Sequence, residues 1–260
     1  MLNQEIYQNI ESWFETYSNS FSSENEEIQL NFDLKRNHSF NTVEIITELS
    51  SECELNDEQL LVSKTIALLH DVGRFAQLLK HETFSDNEQD NHIDLGIDVL
   101  KSENVLGKLE EDTVQIIFEC IRYHDIDTLP KSVNEEALTF LKLLRDADRI
   151  DILNILSKYY TEYKPGSNKR LELELADKPE ISKMVYKSVM DEKVVSKKDV
   201  LTLNEQKLHQ MSWVYDLNFK KSFKVVSEKN YLKKIYESLP KKDEVIDMYR
   251  QVKIYLENNL

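Results

Sequence analysis

Apolar residues recur along this chain at three- and four-residue spacing, the period of a helix with one buried face. No series of alternating strands with hairpin turns interrupts that pattern, and no internal repeat overlies it. It predicts a helix over residues 4–17, a polar loop over 18–27 and a second helix from about 31 to 50. Asn56 has the side chain of an N-cap, and Asp57 and Glu58 after it suit the positive end of a third helix, which carries Leu60 to His70. Gly73 marks the exit of that helix or a turn just beyond it. The polar stretch 79–91, with Thr83-Phe84-Ser85-Asp86, is expected as a loop. Helices follow at about 92–102, 111–124 and 134–160, the last two separated by Pro130.

The clearest break is Pro165-Gly166-Ser167-Asn168. Beyond it the pattern predicts helices near 181–190 and 203–217 and two more flanking Pro240. The expected organisation is a helical domain over 1–163 and a C-terminal helical extension over 164–260 packed on it. Trp213, Tyr215 and Phe219 read as core of that extension rather than as a ligand platform.

Composition agrees with an all-α fold. Only 4 glycines and 4 prolines occur in 260 residues, as long helices and short loops require and a turn-rich sandwich does not. Hydrophobic content of 40% with 31% charged residues describes a globular chain rather than a disordered one. A net charge of −15 argues against a nucleic-acid polymer or an anionic membrane as partner. It leaves room for a small phosphorylated ligand, because bound cations reverse the local field. Cys53 and Cys120, without any CxxC pair, are expected as reduced thiols of a cytoplasmic protein. The first fifteen positions, 1–15, carry acids and no basic residue, unlike a signal peptide, and no apolar run approaches the ~20 residues that span a bilayer.

Helical phase brings out the chemistry. His38 shares a face with Thr42, Ile45, Ile46 and Leu49; His92 with Leu95, Gly96 and Val99; His124 with Ile117, Cys120 and Ile121. Asp148 lies on the stripe of Leu141, Leu144, Ile152 and Ile155, and the doublet His70-Asp71 ends the apolar run Thr65-Ile66-Ala67-Leu68-Leu69. A buried carboxylate needs a cation or a proton. Four inward histidines and two inward aspartates would need six separate polar partners as plain core residues; a shared metal site satisfies them together. Asp146 and Asp151 lie close enough in sequence to compete with Asp148. Asp125 is open to two readings, an acceptor orienting the His124 ring or a residue of the helix end. His81 and His209 fit no ligand position and read as surface or loop residues.

The residues that carry this site resemble the HD-domain superfamily of metal-dependent phosphohydrolases. The pattern of a leading His, a His-Asp doublet and a distant Asp is present as His38, His70-Asp71 and Asp148. The runs Lys35-Arg36-Asn37-His38, His70-Asp71-Val72-Gly73-Arg74-Phe75 and Arg145-Asp146-Ala147-Asp148-Arg149 are similar to bacterial members, over about residues 30–156. The resemblance implies an HD-domain helical bundle. It also implies a binuclear centre of divalent ions (Mn, Fe, Mg, Ni or Zn), with Asp71 as the bridging catalytic carboxylate. His38, His70 and Asp148 would complete one metal and His92 with His124 the other, and a bridging water or hydroxide would attack. Arg74, Lys35 and Arg149 are the cations nearest the motifs and the candidates to hold substrate phosphate, with Arg74 also stabilising developing charge. Their alternative role is to pair with acids such as Asp146 or Asp86.

The implied reaction is hydrolysis of a phosphate ester or phosphoanhydride in a small nucleotide-like or phosphorylated metabolite. The Gly-Tyr-Pro element of cyclic-dinucleotide hydrolases in this superfamily is absent. The same six-residue set also resembles the di-iron oxygenases on this fold, which act on small polar or phosphonate-type substrates. A non-enzymatic HD signalling module is the third reading, disfavoured because every ligand position is filled.

Overall fold

The computed structural model describes residues 1–86 and 91–260, and the described residues hold twelve α-helices, three short 3-10 turns and no strand. The chain is all-α, as its hydrophobic period predicts. By contacts it divides into two compact units, Met1–Asp148 and Arg149–Leu260.

The first unit holds α1 (Gln4–Asn19), α2 (Glu26–Leu49), α3 (Asp57–Leu69), α4 (Gly73–His81), α5 (His92–Ser102), α6 (Glu111–Tyr123) and the first part of α7 (Glu135–Glu162). Local chemistry explains several boundaries. Asn25 caps α2 by accepting from the backbone of Glu27 and Ile28, and Glu26 and Glu27 complement its positive end, so the helix starts earlier than its apolar pattern does. Asn56 caps α3 in a reciprocal capping box with Gln59. The helix α3 lies at the centre, packed by α1, α2 and α6, and its last turn, Ile66 to Leu69, is inaccessible to solvent. Burying such a side chain is worth roughly 1.5–3 kcal/mol.

Gly73 does not end a helix: it opens α4, which the sequence pattern absorbs into an exit turn and a loop. A methyl group on Gly73 would stand 1.9 Å from the carbonyl oxygen of His92, and one on Gly96 would stand 3.1 Å from the Gly73 nitrogen. The two glycines therefore let α4 and α5 cross with their backbones nearly touching, which seats the start of α5 against the end of α3. Phe75 on α4 fills the space beneath, edge-on to Phe14 and stacked on Phe32. Of the loop expected over 79–91, residues 79–81 are helical, 82–86 form a loop, and 87–90 lie outside the described residues.

The second unit holds the rest of α7 with α8 (Lys183–Met190), α9 (Leu203–Ser212), α10 (Lys220–Glu228), α11 (Tyr231–Glu237) and α12 (Asp243–Asn258). Three helices therefore stand around Pro240 where two are expected, and a 3-10 turn over Trp213–Asp216 shortens the expected helix 203–217. Every residue of α9 is buried, polar ones included. His209 is among them: Nδ1 lies 2.6 Å from the Val195 carbonyl, and Nε2 accepts from Trp213 Nε1 at 3.2 Å. It is a satisfied core histidine rather than a surface residue. Trp213, Tyr215 and Phe219 are half-buried. No described helix is long and apolar enough to cross a membrane.

The contacts divide the chain inside α7, between Asp148 and Arg149, whereas the sequence places its boundary at 163/164. The proline–glycine break is a turn within the second unit, where Glu172 accepts from the Gly166 nitrogen and from the Tyr159 hydroxyl. A helix continuous in sequence thus serves both units, a division that leaves no break in the hydrophobic pattern.

Candidate metal centre

The six candidate ligands come from five places in the first unit. His38 sits midway along α2, His70 caps the C-terminus of α3 with Asp71 beside it, His92 is the first residue of α5, His124 caps α6, and Asp148 lies on α7. All six are buried, none more than 8% exposed.

Asp71 is the centre of the arrangement, because its two oxygens face different pairs of imidazoles. Oδ2 lies 3.7 Å from Nε2 of both His38 and His70. Oδ1 lies 3.6 Å from His92 Nε2 and 4.0 Å from His124 Nε2. On the first side Asp148 Oδ1 approaches His38 Nε2 at 3.0 Å and His70 Nε2 at 3.5 Å. Asp146 and Asp151 are buried as well. The rings of His38, His70, His124 and His92 follow one another edge to face at 5.2–5.4 Å.

The outer nitrogens of three rings are already assigned. His70 Nδ1 lies 2.7 Å from the carbonyl of Ala67 and His124 Nδ1 2.7 Å from that of Ile121. Each ring thus uses a carbonyl that the end of its own helix leaves unpaired. A carbonyl can only accept, so Nδ1 carries the proton and Nε2 of the neutral ring keeps its lone pair toward Asp71. His92 Nδ1 is held at 2.9 Å by both oxygens of Asp86. The acceptor on His124 Nδ1 is the Ile121 carbonyl, and Asp125 follows the ring in sequence with its charge acting on it.

Among the described residues the inner atoms His70 Nε2, His92 Nε2 and Asp148 Oδ1 are buried without a hydrogen bond of acceptable geometry, despite the short approaches to Asp148. Leaving such groups unsatisfied is costly. A cation is what three inward lone-pair donors have in common. Ligand atoms of His38, His70 and Asp71 lie within 4.8 Å of one another, as do those of Asp71, His92 and His124. Imidazole nitrogens with carboxylate oxygens are a donor set that divalent transition ions accept. The residues present therefore fit a metal.

Protonation states agree with this. Burial pushes the Asp71 carboxyl up, but Lys35 first, then His70, Arg74 and His92, more than offset it and hold it well below the usual carboxylate range. Asp148 is likewise raised by burial and brought well below it by His38 and His70. Burial lowers His92, with Arg74 adding to the effect. Burial with His70 and His92 brings His124 down to about 4. Ionised carboxylates and deprotonated imidazoles are the forms that ligate, and the directions for Asp71, Asp148, His92 and His124 run toward them.

The three cations fall in different places. Lys35 Nζ lies 2.5 Å from Asp71 Oδ2. Arg74 places Nε 3.6 Å from Asp71 Oδ1, while its Nη1 donates to Gln77, to the Phe84 carbonyl and to Asp86 at 3.2 Å. Arg149 belongs to the second unit, where it donates to the carbonyl and the carboxylate of Asp216. The Arg74–Asp86 pair is the alternative role expected of that cation, but sequence reasoning does not give two residues, Asp86 and Arg145, their tasks toward the ligands. Asp86 sits in a loop with no periodicity to assign it a direction. Arg145 donates at 2.8 Å to the carbonyls of both His124 and Ile126, closing the end of α6 with a cation as the helix dipole favours. Its sequence signal is only that it precedes Asp148 by one helical turn.

An all-helical bundle with this cluster of histidines and aspartates is a helical domain whose residues could hold a metal. Residues 36–153 match the family model of the HD domain, so the chain carries an HD domain, and all six candidate ligands fall within the matched stretch. The family binds divalent metals and consists largely of metal-dependent hydrolases. Neither curated proteins nor solved structures yield a match to the chain.

Proposed function

We propose that the protein is a metal-dependent phosphohydrolase acting on a small phosphorylated metabolite. The observation that carries this reading is Asp71, a buried carboxylate whose two oxygens face separate imidazole pairs. His38, His70 and Asp148 would hold one divalent ion, His92 and His124 a second, and Asp71 would bridge them. Bound divalent ions supply Lewis acidity, lowering the pKa of water and stabilising charge on a phosphoryl oxygen. The chain's own residues do the rest. Burial holds His92 and His124 toward the neutral form and Asp71 and Asp148 stay ionised, so these four need little proton removal before they ligate, and Lys35 and the Arg74 guanidinium present positive charge beside Asp71 for a substrate phosphate. The reading rests on these two cations and not on Arg149, which is engaged with Asp216. A net charge of −15 favours a small ligand over a polyanion.

The test is a screen of manganese-loaded protein against nucleotides and phosphate esters beside the Asp71→Ala variant. Phosphate release by the first and not the second is expected. Equal release by both would mark a contaminant. Redox-active iron with oxygen uptake would replace this reading by the oxygenase one.

A further inference from the structure

Asp86 stands outside the ligand set, yet both of its oxygens hold the ring of one of the ligands. Its Oδ1 accepts from the backbone nitrogen of His92 at 3.0 Å and from Gln77 Nε2 at 2.9 Å, and Arg74 Nη1 approaches at 3.2 Å. Both oxygens meet His92 Nδ1 at 2.9 Å. One carboxylate thus ties the first turn of α5 to two side chains of α4.

From this geometry we infer that Asp86 is the positioning residue of the second metal site, fixing the tautomer and direction of His92 by accepting from its Nδ1. His92 needs this where His70 and His124 do not. Those two cap the C-termini of helices and find a free carbonyl three residues back. His92 opens a helix, where the unpaired backbone groups are N–H donors, and its Nδ1 meets the Asp86 carboxylate instead. Without an acceptor on Nδ1 the proton of a neutral ring is free to sit on Nε2, where it would block the lone pair aimed at Asp71. An ionised carboxylate also makes the ring a better donor. The bond depends on the loop 82–86 being anchored, and the contacts with Gln77 and Arg74 anchor it. Arg74 accordingly has a structural task in addition to the substrate role proposed above.

This inference rests on His92 being a metal ligand, and the experiment separates the two. Calorimetric titration of Mn²⁺ into metal-free protein is run on the wild type, Asp86→Ala and Asp86→Asn. Nitrogen-15 NMR of the imidazoles is recorded on the metal-free forms. The expected result is that Asp86→Ala loses affinity roughly 10–100-fold at one of two sites and leaves the other unchanged. Asp86→Asn, whose amide oxygen still accepts from Nδ1–H, keeps most of it. In the spectra His92 carries its proton on Nδ1 in the wild type and in Asp86→Asn, and shifts toward the Nε2 form in Asp86→Ala. A merely structural role for Asp86 would not move that tautomer ratio. Wild-type affinity at both sites in Asp86→Ala, or His92 protonated on Nε2 in the wild type, overturns the inference. A wild type that binds no metal overturns the metal reading instead, and the tautomer measurement still decides the role of Asp86.

Discussion

The depressed basicity of His92 and His124 has a direct consequence for ligation. An imidazole of ordinary pKa, 6.5, loses about tenfold in metal affinity for each pH unit below that value, because the metal must displace a proton. His124 is held at about 4 and His92 is lowered in the same direction. Affinity at the site they share is therefore expected to change less than about tenfold between pH 7.5 and 5.5, where two unperturbed rings would lose about a hundredfold. Calorimetry at the two pH values measures it, and a hundredfold loss would show that these rings are not held neutral. Lys35 gives a second residue-level expectation. It neutralises Asp71 Oδ2 from 2.5 Å, a position in which an ammonium competes with a metal and assists a phosphate. Lys35→Met is expected to bind Mn²⁺ at least as tightly as the wild type while raising KM for a phosphorylated substrate about tenfold, the loss typical of one charge-assisted contact. Weaker metal binding with unchanged KM would reverse that assignment.

At the scale of elements, the crossing of α4 and α5 is the part of the fold most sensitive to a single atom. A methyl group on Gly73 would meet the His92 carbonyl at 1.9 Å, and backbone cannot give way as a side chain can. Gly73→Ala is therefore expected to cost about 3 kcal/mol and to displace His92, weakening one metal site. Gly107→Ala is the control. The three atoms nearest its new methyl group all belong to the Asn104 side chain, the first at 2.3 Å, and that side chain can swing aside at a cost below about 1 kcal/mol. Urea unfolding of both variants checks the contrast, and equal losses would show that the crossing is not the constraint. The same crossing explains what the sequence conceals. Helical period with inward histidines is legible because it repeats every turn, and His38, His92 and His124 are buried as their phase predicts. A glycine needed for close approach and a glycine needed to end a helix look alike in sequence. That is why α4 is missed, and with it the seat of Arg74 and Gln77. His209 is misread for a related reason. It lies on a helix of mostly polar residues that is nevertheless buried along its whole length, so its polar positions read as a solvent face.

Across the whole molecule the ionisable groups set a pH range of greatest stability for the metal-free protein. His92 and His124 have folded pKa values below the unfolded 6.5. Between 6.5 and about 4 the unfolded chain therefore binds more protons, and stability falls as pH falls through that interval. His124 alone accounts for about 3 kcal/mol across it. Asp71 and Asp148, lowered from 3.8, add a further loss at still lower pH. At the alkaline end burial raises the thiols of Cys53 and Cys120 above 9.0 and the hydroxyls of Tyr7, Tyr17 and Tyr160 above 10.0. Those groups stay neutral in the fold while the unfolded chain ionises, so stability falls as pH rises past 9. Lys207 and Lys241, lowered from 10.5 by burial, oppose this loss as two groups against several. The expected profile is a plateau between about pH 6.5 and 9 with a fall on each side. Urea unfolding in the presence of a chelator, from pH 4 to 11, measures it. With Mn²⁺ at about a thousand times its dissociation constant, the plateau is expected to rise by about 4 kcal/mol. A stability maximum near pH 5 would mean that the buried histidines are charged, and the cluster would then be a network of ion pairs rather than a set of ligands.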